Sequence, residues 1–284
     1  MGESPDEAEK SVLAIAAHPD DIEFVMAGTL LRLAERGWQV HYFNIANGCL
    51  GSEIFSREEC AKVRLGEAQA AAAALPAIFY PPICDDLEIL YSKELLAQVA
   101  AVVRQARPSI VLTHSLVDYM EDHQYAARLA VSATFARGAP NFVTQPDVGS
   151  FNQDVAIYHA QPHGNREPMG QFVAPERIVD VTDLQTRKRE LLLCHASQAA
   201  WLDASQGLQS YVETMDALNA EVGSLTEGFI RAEGWRKHAH IGFSGTGFDP
   251  LGGALEDVSV WNPAYTKQVA ERPVGNSVVR SSVR

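Results

Sequence analysis

Positively charged residues are scarce in this chain of 284 residues. It has 23 lysines and arginines against 36 aspartates and glutamates, so its formal net charge is −13. A nucleic-acid-binding surface needs a stripe of basic residues, and an anionic membrane surface attracts basic segments. The charge balance therefore argues against nucleic acid and membrane as partners, and it leaves a neutral small molecule as a candidate.

The sequence also lacks long apolar runs, and its first residues lead us to expect no secretory leader. No stretch approaches the roughly 20 apolar residues that cross a bilayer. The first ten residues, MGESPDEAEK, are acidic and polar, whereas a signal peptide begins with a basic region followed by an apolar one. We therefore expect a soluble, cytoplasmic protein, and the length is sufficient for a large buried core.

Two common binding motifs are missing. The stretch GFSGTGFDPLGG (242–253) lacks the G-x-G-x-x-G spacing and is interpreted as a loop. A nucleotide-binding Rossmann enzyme would need a glycine-rich turn after the first strand, where this chain has HPDD, so that class is disfavoured. No C-x-x-C pair occurs, because the four cysteines lie far apart. This spacing is typical of reduced thiols and not of a disulfide framework or a thiolate metal site. The cysteines are Cys49, Cys60, Cys84 and Cys194.

Short apolar runs alternate with helical patterns through the first half of the chain, which predicts an α/β fold with a mostly parallel sheet. Val12 to Ala17 is a continuous apolar run, as expected of a strand buried on both faces. Further strands are predicted at 39–45, 77–80, 109–113, 154–159 and 178–182. Helices are predicted at 27–37, 57–75, 92–106, 122–137, 184–200 and 205–233. We expect one domain over residues 11–240, a flexible N-terminus (1–10) and a C-terminal extension or tail (241–284).

The turn after the first predicted strand concentrates metal-binding chemistry. It reads His18-Pro19-Asp20-Asp21 and leads directly into a helix. Imidazole nitrogen and carboxylate oxygen are ordinary zinc ligands, and a catalytic zinc site usually has three protein ligands. Either aspartate could instead cap the following helix. Capping accounts for one carboxylate, but not for the second carboxylate or for the histidine.

A third ligand is predicted at the neighbouring strand end. In a doubly wound sheet of order 3-2-1-4 the first and fourth strands are adjacent, and ligands bind in the crevice at their carboxyl ends. The loop after the fourth strand, which ends near Thr113, carries Asp118, Glu121, Asp122 and His123. We therefore expect His123 to reach the same crevice as His18.

These motifs resemble the LmbE-like, or PIG-L, deacetylases. The resemblance rests on AHPDDIE after the first strand and on the Asp122-His123 pair, and it extends over roughly residues 11–235. Arg64 and Glu67 match an R-x-x-E helix, Asn47-Gly48 and Gly51 match a loop, and Lys188 with His195-Ala196-Ser197-Gln198 matches a K…H-x-S-Q helix. The resemblance implies a Rossmann-like three-layer fold and zinc-dependent removal of N-acetyl or related acyl groups from amino sugars and their conjugates.

The resemblance also implies roles for individual residues. The expected metal ligands are His18, Asp21 and His123, with Zn²⁺ as the expected cofactor, although iron, cobalt or manganese also suits such ligands. Asp20 is the expected base, and Asp122 is expected to orient an imidazole. Asn47 and Arg64 are candidates for substrate binding, although an arginine on an alanine-rich helix is commonly solvated or paired. The family also makes a homo-oligomer an expectation.

One position departs from the family pattern. The second motif usually reads H-P-D-H, whereas this chain has Met120 in place of the first histidine. Methionine cannot donate the hydrogen bond that helps to stabilise a tetrahedral intermediate, and loss of one such donor costs about 10²–10³ in rate. The candidate replacements are His163, which is the first choice, then His114, Glu121, His238 and His240. The alternative function is a metal-binding protein of this family with lost or repurposed catalysis.

Overall fold

A computed structural model describes residues 10–199, 201 and 211–270 of the chain. The predicted N-terminal segment therefore lies, except for Lys10, outside the described residues. The strands are β1 (Ser11–Ala16), β2 (Gln39–Asn44), β3 (Ile78–Tyr80), β4 (Ile110–Thr113), β5 (Ala156–Ala160), β6 (Arg177–Asp180), β7 (Ala232–Lys237) and β8 (Ser259–Trp261). The α-helices are α1 (Asp21–Val25), α2 (Ala27–Glu35), α3 (Arg57–Ala74), α4 (Lys93–Ala106), α5 (Glu121–Ala136), α6 (Gln185–Leu192), α7 (Tyr211–Gly223), α8 (Pro250–Ala254) and α9 (Pro263–Ala270).

These strands form one sheet in the order β3-β2-β1-β4-β5-β7-β6-β8. Strands β1 to β5 pair in parallel, and β7, β6 and β8 extend the sheet in antiparallel fashion. The predicted α/β fold with a mostly parallel sheet is therefore confirmed, and so is the adjacency of the first and fourth strands.

Helices cover both faces of the sheet, because alternate side chains of a strand point to opposite sides. On one face, Val12 of β1 belongs to the same apolar core as Leu30 of α2. On the other face, Leu13 belongs to a second core that contains Val99 of α4 and Leu129 of α5. The resulting order of helices, sheet and helices is the predicted three-layer arrangement.

The C-terminal half departs from the sequence prediction. The helix predicted over 205–233 is too long, since α7 ends at Gly223 and Ala232–Lys237 is strand β7. A strand was missed there because AEGWRK carries charged residues where a buried strand usually has apolar ones. The described part of residues 241–284 includes α8 within the predicted loop, and β8, which pairs with β6. The division of the chain at residue 240 stays a prediction.

The carboxyl ends of β1 and β4 lie side by side, with Ile15 paired to Thr113. The turn from β1 into α1 and the loop from β4 into α5 therefore meet at one edge of the sheet, where open α/β folds bind ligands. Among the described residues, no helix is both long and apolar enough to cross a bilayer.

Candidate metal centre

His18, Asp21 and His123 each place one ligand atom within 4.8 Å of the others. The Asp21 carboxylate lies between the two rings. Its Oδ2 atom is 3.4 Å from Nδ1 of His18, and its Oδ1 atom is 3.4 Å from Nε2 of His123. The two strand ends thus bring together the three residues that were predicted as ligands.

Each of the two histidines also pairs with a further carboxylate through its outer ring nitrogen, which is the one farther from Asp21. Nε2 of His18 lies 2.9 Å from Oδ2 of Asp122, and Nδ1 of His123 lies 3.0 Å from Oδ1 of Asp118. Such a partner keeps the proton on the outer nitrogen, fixes the ring orientation and leaves the inner nitrogen available to a metal. The orienting position was predicted for Asp122, whereas Asp118 was noted only as an acid of the same loop.

The electrostatics of the cluster favour a bound positive charge. Burial lowers the pKa of His18, but hydrogen bonds with Asp122 and Asp21 outweigh it and raise the pKa to about 9. Burial likewise lowers the pKa of His123, but Asp21 and Asp118 raise it to about 10. Protons satisfy this demand when no cation is bound. A divalent cation satisfies it equally, so the donor set fits the implied metal.

His114, Asp118 and His123 form a second group with ligand atoms within 4.8 Å of one another. The ring of His114 stacks on that of His123, with centroids 4.2 Å apart and an interplanar angle of 8°. Nε2 of His114 also accepts the N–H of Ala17 at 3.0 Å. His114 therefore packs behind the first group, and the two groups share His123.

Asp20 is held beside the cluster by other partners. Its backbone is left-handed, with φ 102°, and its side chain makes no capping hydrogen bond although it stands at the N-cap of α1. The carboxylate instead accepts hydrogen bonds from Arg64, at 3.2 Å, and from the hydroxyl of Tyr211. The helix-capping alternative for this carboxylate is therefore not observed.

The two adjacent carboxyl groups have opposite pKa shifts. Burial raises the pKa of Asp20, against the opposing charge of Arg64. Burial acts in the same direction on Asp21, but the charges of His123 and His114 hold the pKa of that carboxyl well below its usual range. Neighbouring acids that differ in this way are typical of sites that use one carboxylate as a fixed charge and the other for proton transfer.

A cavity of about 380 Å³ opens over the cluster. Its walls include His18, Asp20, Asp21 and His123, and also the two residues that the family comparison singled out, Met120 and His163. The imidazole of His163 lies 5.4 Å from the ring of Tyr119, between centroids, and its backbone N–H donates to Asp118 at 3.1 Å. The first-choice replacement for the missing histidine therefore faces the cavity.

The other candidate replacements lie elsewhere. Glu121 lines a separate surface groove beside α5. His238 pairs with His159, with Nδ1 and Nε2 3.0 Å apart, and His240 pairs with Thr246 at 3.2 Å. None of these three is part of the cavity wall within the described residues.

The two candidates for substrate binding differ in position. Arg64 is buried in the cavity wall, where its guanidinium donates to Asp20 and to the carbonyl oxygen of Pro19. Gly48 allows this packing, since a Cβ atom there would lie 2.6 Å from the Arg64 side chain. The amide of Asn47 pairs with Asp85 and with the N–H of Cys49, and Asn47 is not among the described residues of the cavity wall. Substrate binding by either residue stays a prediction.

Tyr211 and Tyr119 are among the cavity residues that the sequence analysis missed. Tyr211, at the start of α7, lies far along the chain in a segment without a recognisable motif. Tyr119 stands directly before Met120, and its ring meets that of His123 edge-on at 5.6 Å. Its place directly before the second motif was an available signal.

The fold and the site define a class: α/β proteins with a Rossmann-like sheet and a His/Asp/His cluster at the carboxyl ends of the central strands. The family model described as PIG-L, GlcNAc-PI de-N-acetylase, matches residues 13–134. The resemblance to the PIG-L (LmbE-like) family is therefore confirmed.

Individual relatives extend the similarity. The chain is 29% identical over 198 residues to the diacetylchitobiose deacetylase of Thermococcus kodakarensis, covering 66% of this chain and 70% of that protein. The structure of the N,N'-diacetylchitobiose deacetylase from Pyrococcus horikoshii is similar with a TM-score of 0.68 and 25% identity, over 85% of this chain and 88% of that one. The 4-carboxy-2-hydroxymuconate hydratase from Pseudomonas putida has the same TM-score at 23% identity, over 81% and 96% of the two chains, and shows the shared fold.

Proposed function

We propose that this chain is a metal-dependent, zinc-preferring N-deacetylase that removes an acetyl or similar acyl group from a small amino sugar or its conjugate. The proposal depends chiefly on the cluster of His18, Asp21 and His123 at the base of a cavity, with the separately held carboxylate of Asp20 beside it. The names of the two diacetylchitobiose deacetylases support the choice of reaction and substrate class.

In this proposal each residue has a separate task. His18, Asp21 and His123 hold the cation, which when bound polarises the acyl carbonyl and makes water more acidic. Asp20 takes a proton from the attacking water and delivers it to the nitrogen of the departing amine. Arg64 and Tyr211 fix the Asp20 carboxylate through the hydrogen bonds described above. Its burial-raised pKa suits a group that must both accept and return a proton.

The missing histidine motivates a second candidate function, a metal-binding protein with lost or repurposed catalysis. Met120 lines the cavity at the position of the usual hydrogen-bond donor. Under the leading proposal His163 supplies this bond to the oxygen of the tetrahedral intermediate. Burial lowers the pKa of His163, so the ring is neutral near pH 7 and donates one N–H.

Metal content and turnover together test the proposal. The first measurement is zinc per chain by elemental analysis, for which we expect about one equivalent in the wild type and a large loss in His123→Ala. The second is amine release from N,N'-diacetylchitobiose and N-acetylglucosamine. We expect Asp20→Asn to keep its metal and to lose at least about 10²-fold in kcat, whereas the surface variant Asp147→Asn keeps both. A protein that binds zinc but acts on neither sugar supports the second candidate instead.

A further inference from the structure

Three large apolar side chains are exposed at the mouth of the cavity. Leu50, Leu87 and Tyr119 have relative exposures of 45%, 63% and 61%, yet each also contributes to the cavity wall. They come from three different loops, which follow β2, β3 and β4. We call these three residues the apolar rim.

Hydrogen bonds tie the three loops to one another and to the metal cluster. The N–H of Leu50 donates to Asp86 at 2.9 Å, and the N–H of Leu87 donates to Asp122 at 2.7 Å. Asp122 in turn holds His18 and lies three residues after Tyr119 in sequence. The apolar rim therefore keeps a fixed position relative to the metal cluster.

Leu87 also has an unusual backbone. Its φ of 63° lies in the left-handed region, which leucine rarely adopts. Asparagine or glycine tolerates this conformation at lower cost, and a solvent-exposed position would accept either. Backbone strain retained at the mouth of a binding cavity is a reason to seek a function for the side chain.

The charges of the cavity disfavour an anionic ligand. Its described walls carry the carboxylates of Asp20, Asp21 and Asp86, whereas Arg64 is the one lysine or arginine among them. The Arg64 guanidinium is already engaged by Asp20 and by Pro19. At the mouth of the cavity, away from the cation that the proposed function places at its base, a phosphate or carboxylate on the substrate would therefore find no free lysine or arginine among the described wall residues.

The size of the cavity determines which part of a substrate meets the rim. A volume of about 380 Å³ is near the lower end of the roughly 300–1,000 Å³ typical of small-molecule sites. One N-acyl sugar ring suits this space. A group attached to that ring must therefore extend out of the cavity past the apolar rim. We propose that the apolar rim binds an uncharged alkyl or aryl aglycone, so that the substrate is a neutral, amphiphilic N-acyl amino sugar glycoside. The choice of an N-acyl sugar rests on the proposed deacetylase function.

The kinetic test compares substrates that differ only in the aglycone. Octyl N-acetyl-β-D-glucosaminide is expected to exceed the methyl glycoside at least about tenfold in kcat/KM, mainly through KM, because part of the alkyl chain leaves water. N-acetylglucosamine 1-phosphate is expected to fall below the methyl glycoside. In the double variant Leu50→Asn/Leu87→Asn the octyl-to-methyl ratio should fall towards one. Asparagine suits the left-handed backbone of Leu87, so the change removes the apolar surface without adding strain.

Val143→Asn provides the matched control, because Val143 is 71% exposed and is not among the described residues of the cavity wall. This variant should retain the octyl-to-methyl ratio of the wild type. Equal kcat/KM values for octyl and methyl glycosides in the wild type would overturn the proposed aglycone site, even though deacetylation itself would be established.

A binding measurement separates the aglycone site from the deacetylase proposal. Octyl β-D-glucopyranoside has no N-acyl group, and its affinity can be measured by calorimetry below its micelle concentration, with methyl β-D-glucopyranoside as reference. Octyl-selective binding that is lost in the double variant supports the apolar rim, even if no N-acyl sugar is turned over. Absence of octyl-selective binding overturns it, including the case in which sedimentation shows the rim covered by a second copy of the chain.

Discussion

Asp122 links the metal cluster to the mouth of the cavity, because its Oδ2 atom lies 2.9 Å from Nε2 of His18 and accepts the N–H of Leu87 at 2.7 Å. One carboxylate oxygen therefore sets both the orientation of a predicted ligand and the position of a loop. Both partners donate to this oxygen, and the negative charge of the carboxylate strengthens both hydrogen bonds.

Asp122→Asn is therefore expected to weaken metal binding without removing a ligand. Loss of the carboxylate partner of a ligating histidine typically costs 10- to 100-fold in metal affinity. Competition with a chromogenic chelator measures this change directly. Asp147→Asn, on the exposed loop after α5, removes the same charge far from the cluster and should leave the affinity unchanged. An Asp122→Asn variant with wild-type affinity would contradict the orienting role.

If His163 makes the proposed hydrogen bond, its removal should lower kcat, and a donor introduced at a nearby position should restore part of kcat. His163→Phe should lower kcat by about 100-fold with little change in KM, because the lost bond forms only to the intermediate. Adding Met120→His to that variant returns a donor at the usual family position, which also lines the cavity. We expect the double variant to recover at least about tenfold in kcat. Failure of His163→Phe to change kcat would point to another donor.

Lys188 and Arg187 are neighbouring cations on α6, and we expect their removal to lower the free energy of unfolding by very different amounts. Lys188 is fully buried, and its Nζ atom lies 2.6 Å from Glu233, which also accepts the N–H groups of Gly28 and Thr29. Lys188→Met leaves this carboxylate buried without its cation, so we expect a loss of about 3–5 kcal/mol in the free energy of unfolding.

Arg187→Met provides the matched control for this comparison. Arg187 pairs with Glu35 on the surface at 2.7 Å, where the two side chains are 47% and 40% exposed. Exposed pairs contribute at most about 1 kcal/mol. Urea unfolding of the two variants and the wild type measures both losses. Similar losses for Lys188→Met and Arg187→Met would show that the buried pair is not required for stability.

The parallel half of the fold was predictable because its signals are local. The apolar runs of β1 and β4 and the helical periodicity between them reflect burial on both faces of the sheet, so their bounds agree with the structure to within a few residues. The ligand positions followed from topology, since His18 and His123 stand at the ends of adjacent strands. A sequence pattern is sufficient to predict a strand or helix when the apolar residues of that segment account for its burial.

The antiparallel half was less predictable because its burial depends on distant partners. Glu233 in β7 can be buried because Lys188, 45 residues earlier, supplies the opposite charge and the distant Gly28 and Thr29 donate their N–H groups to it. Tyr211 meets Asp20 across an even longer separation, and no local motif marks it. Such pairs appear in the sequence as ordinary polar or aromatic residues, and only the fold brings them together.

His159, on β5, predicts a loss of stability at acidic pH. Its Nδ1 atom donates to the carbonyl oxygen of His114 at 2.8 Å, so its Nε2 atom accepts from His238 at 3.0 Å and the ring is neutral. Burial lowers the pKa of His159 to about 4, and the charges of His238 and Arg236 act in the same direction. In the unfolded chain a histidine has a pKa near 6.5.

Between these two pKa values the unfolded chain binds a proton that the folded chain does not bind. The contribution of His159 to stability is therefore complete above about pH 6.5 and is lost as the pH falls towards 4. At pH 5 the expected loss from this residue is about 2 kcal/mol relative to pH 7. In His159→Gln the amide can donate to His114 and accept from His238 without titrating, so urea unfolding at pH 7 and pH 5 should show a loss smaller by about this amount. Equal losses in the variant and the wild type would mean that other groups control the acid sensitivity of the fold.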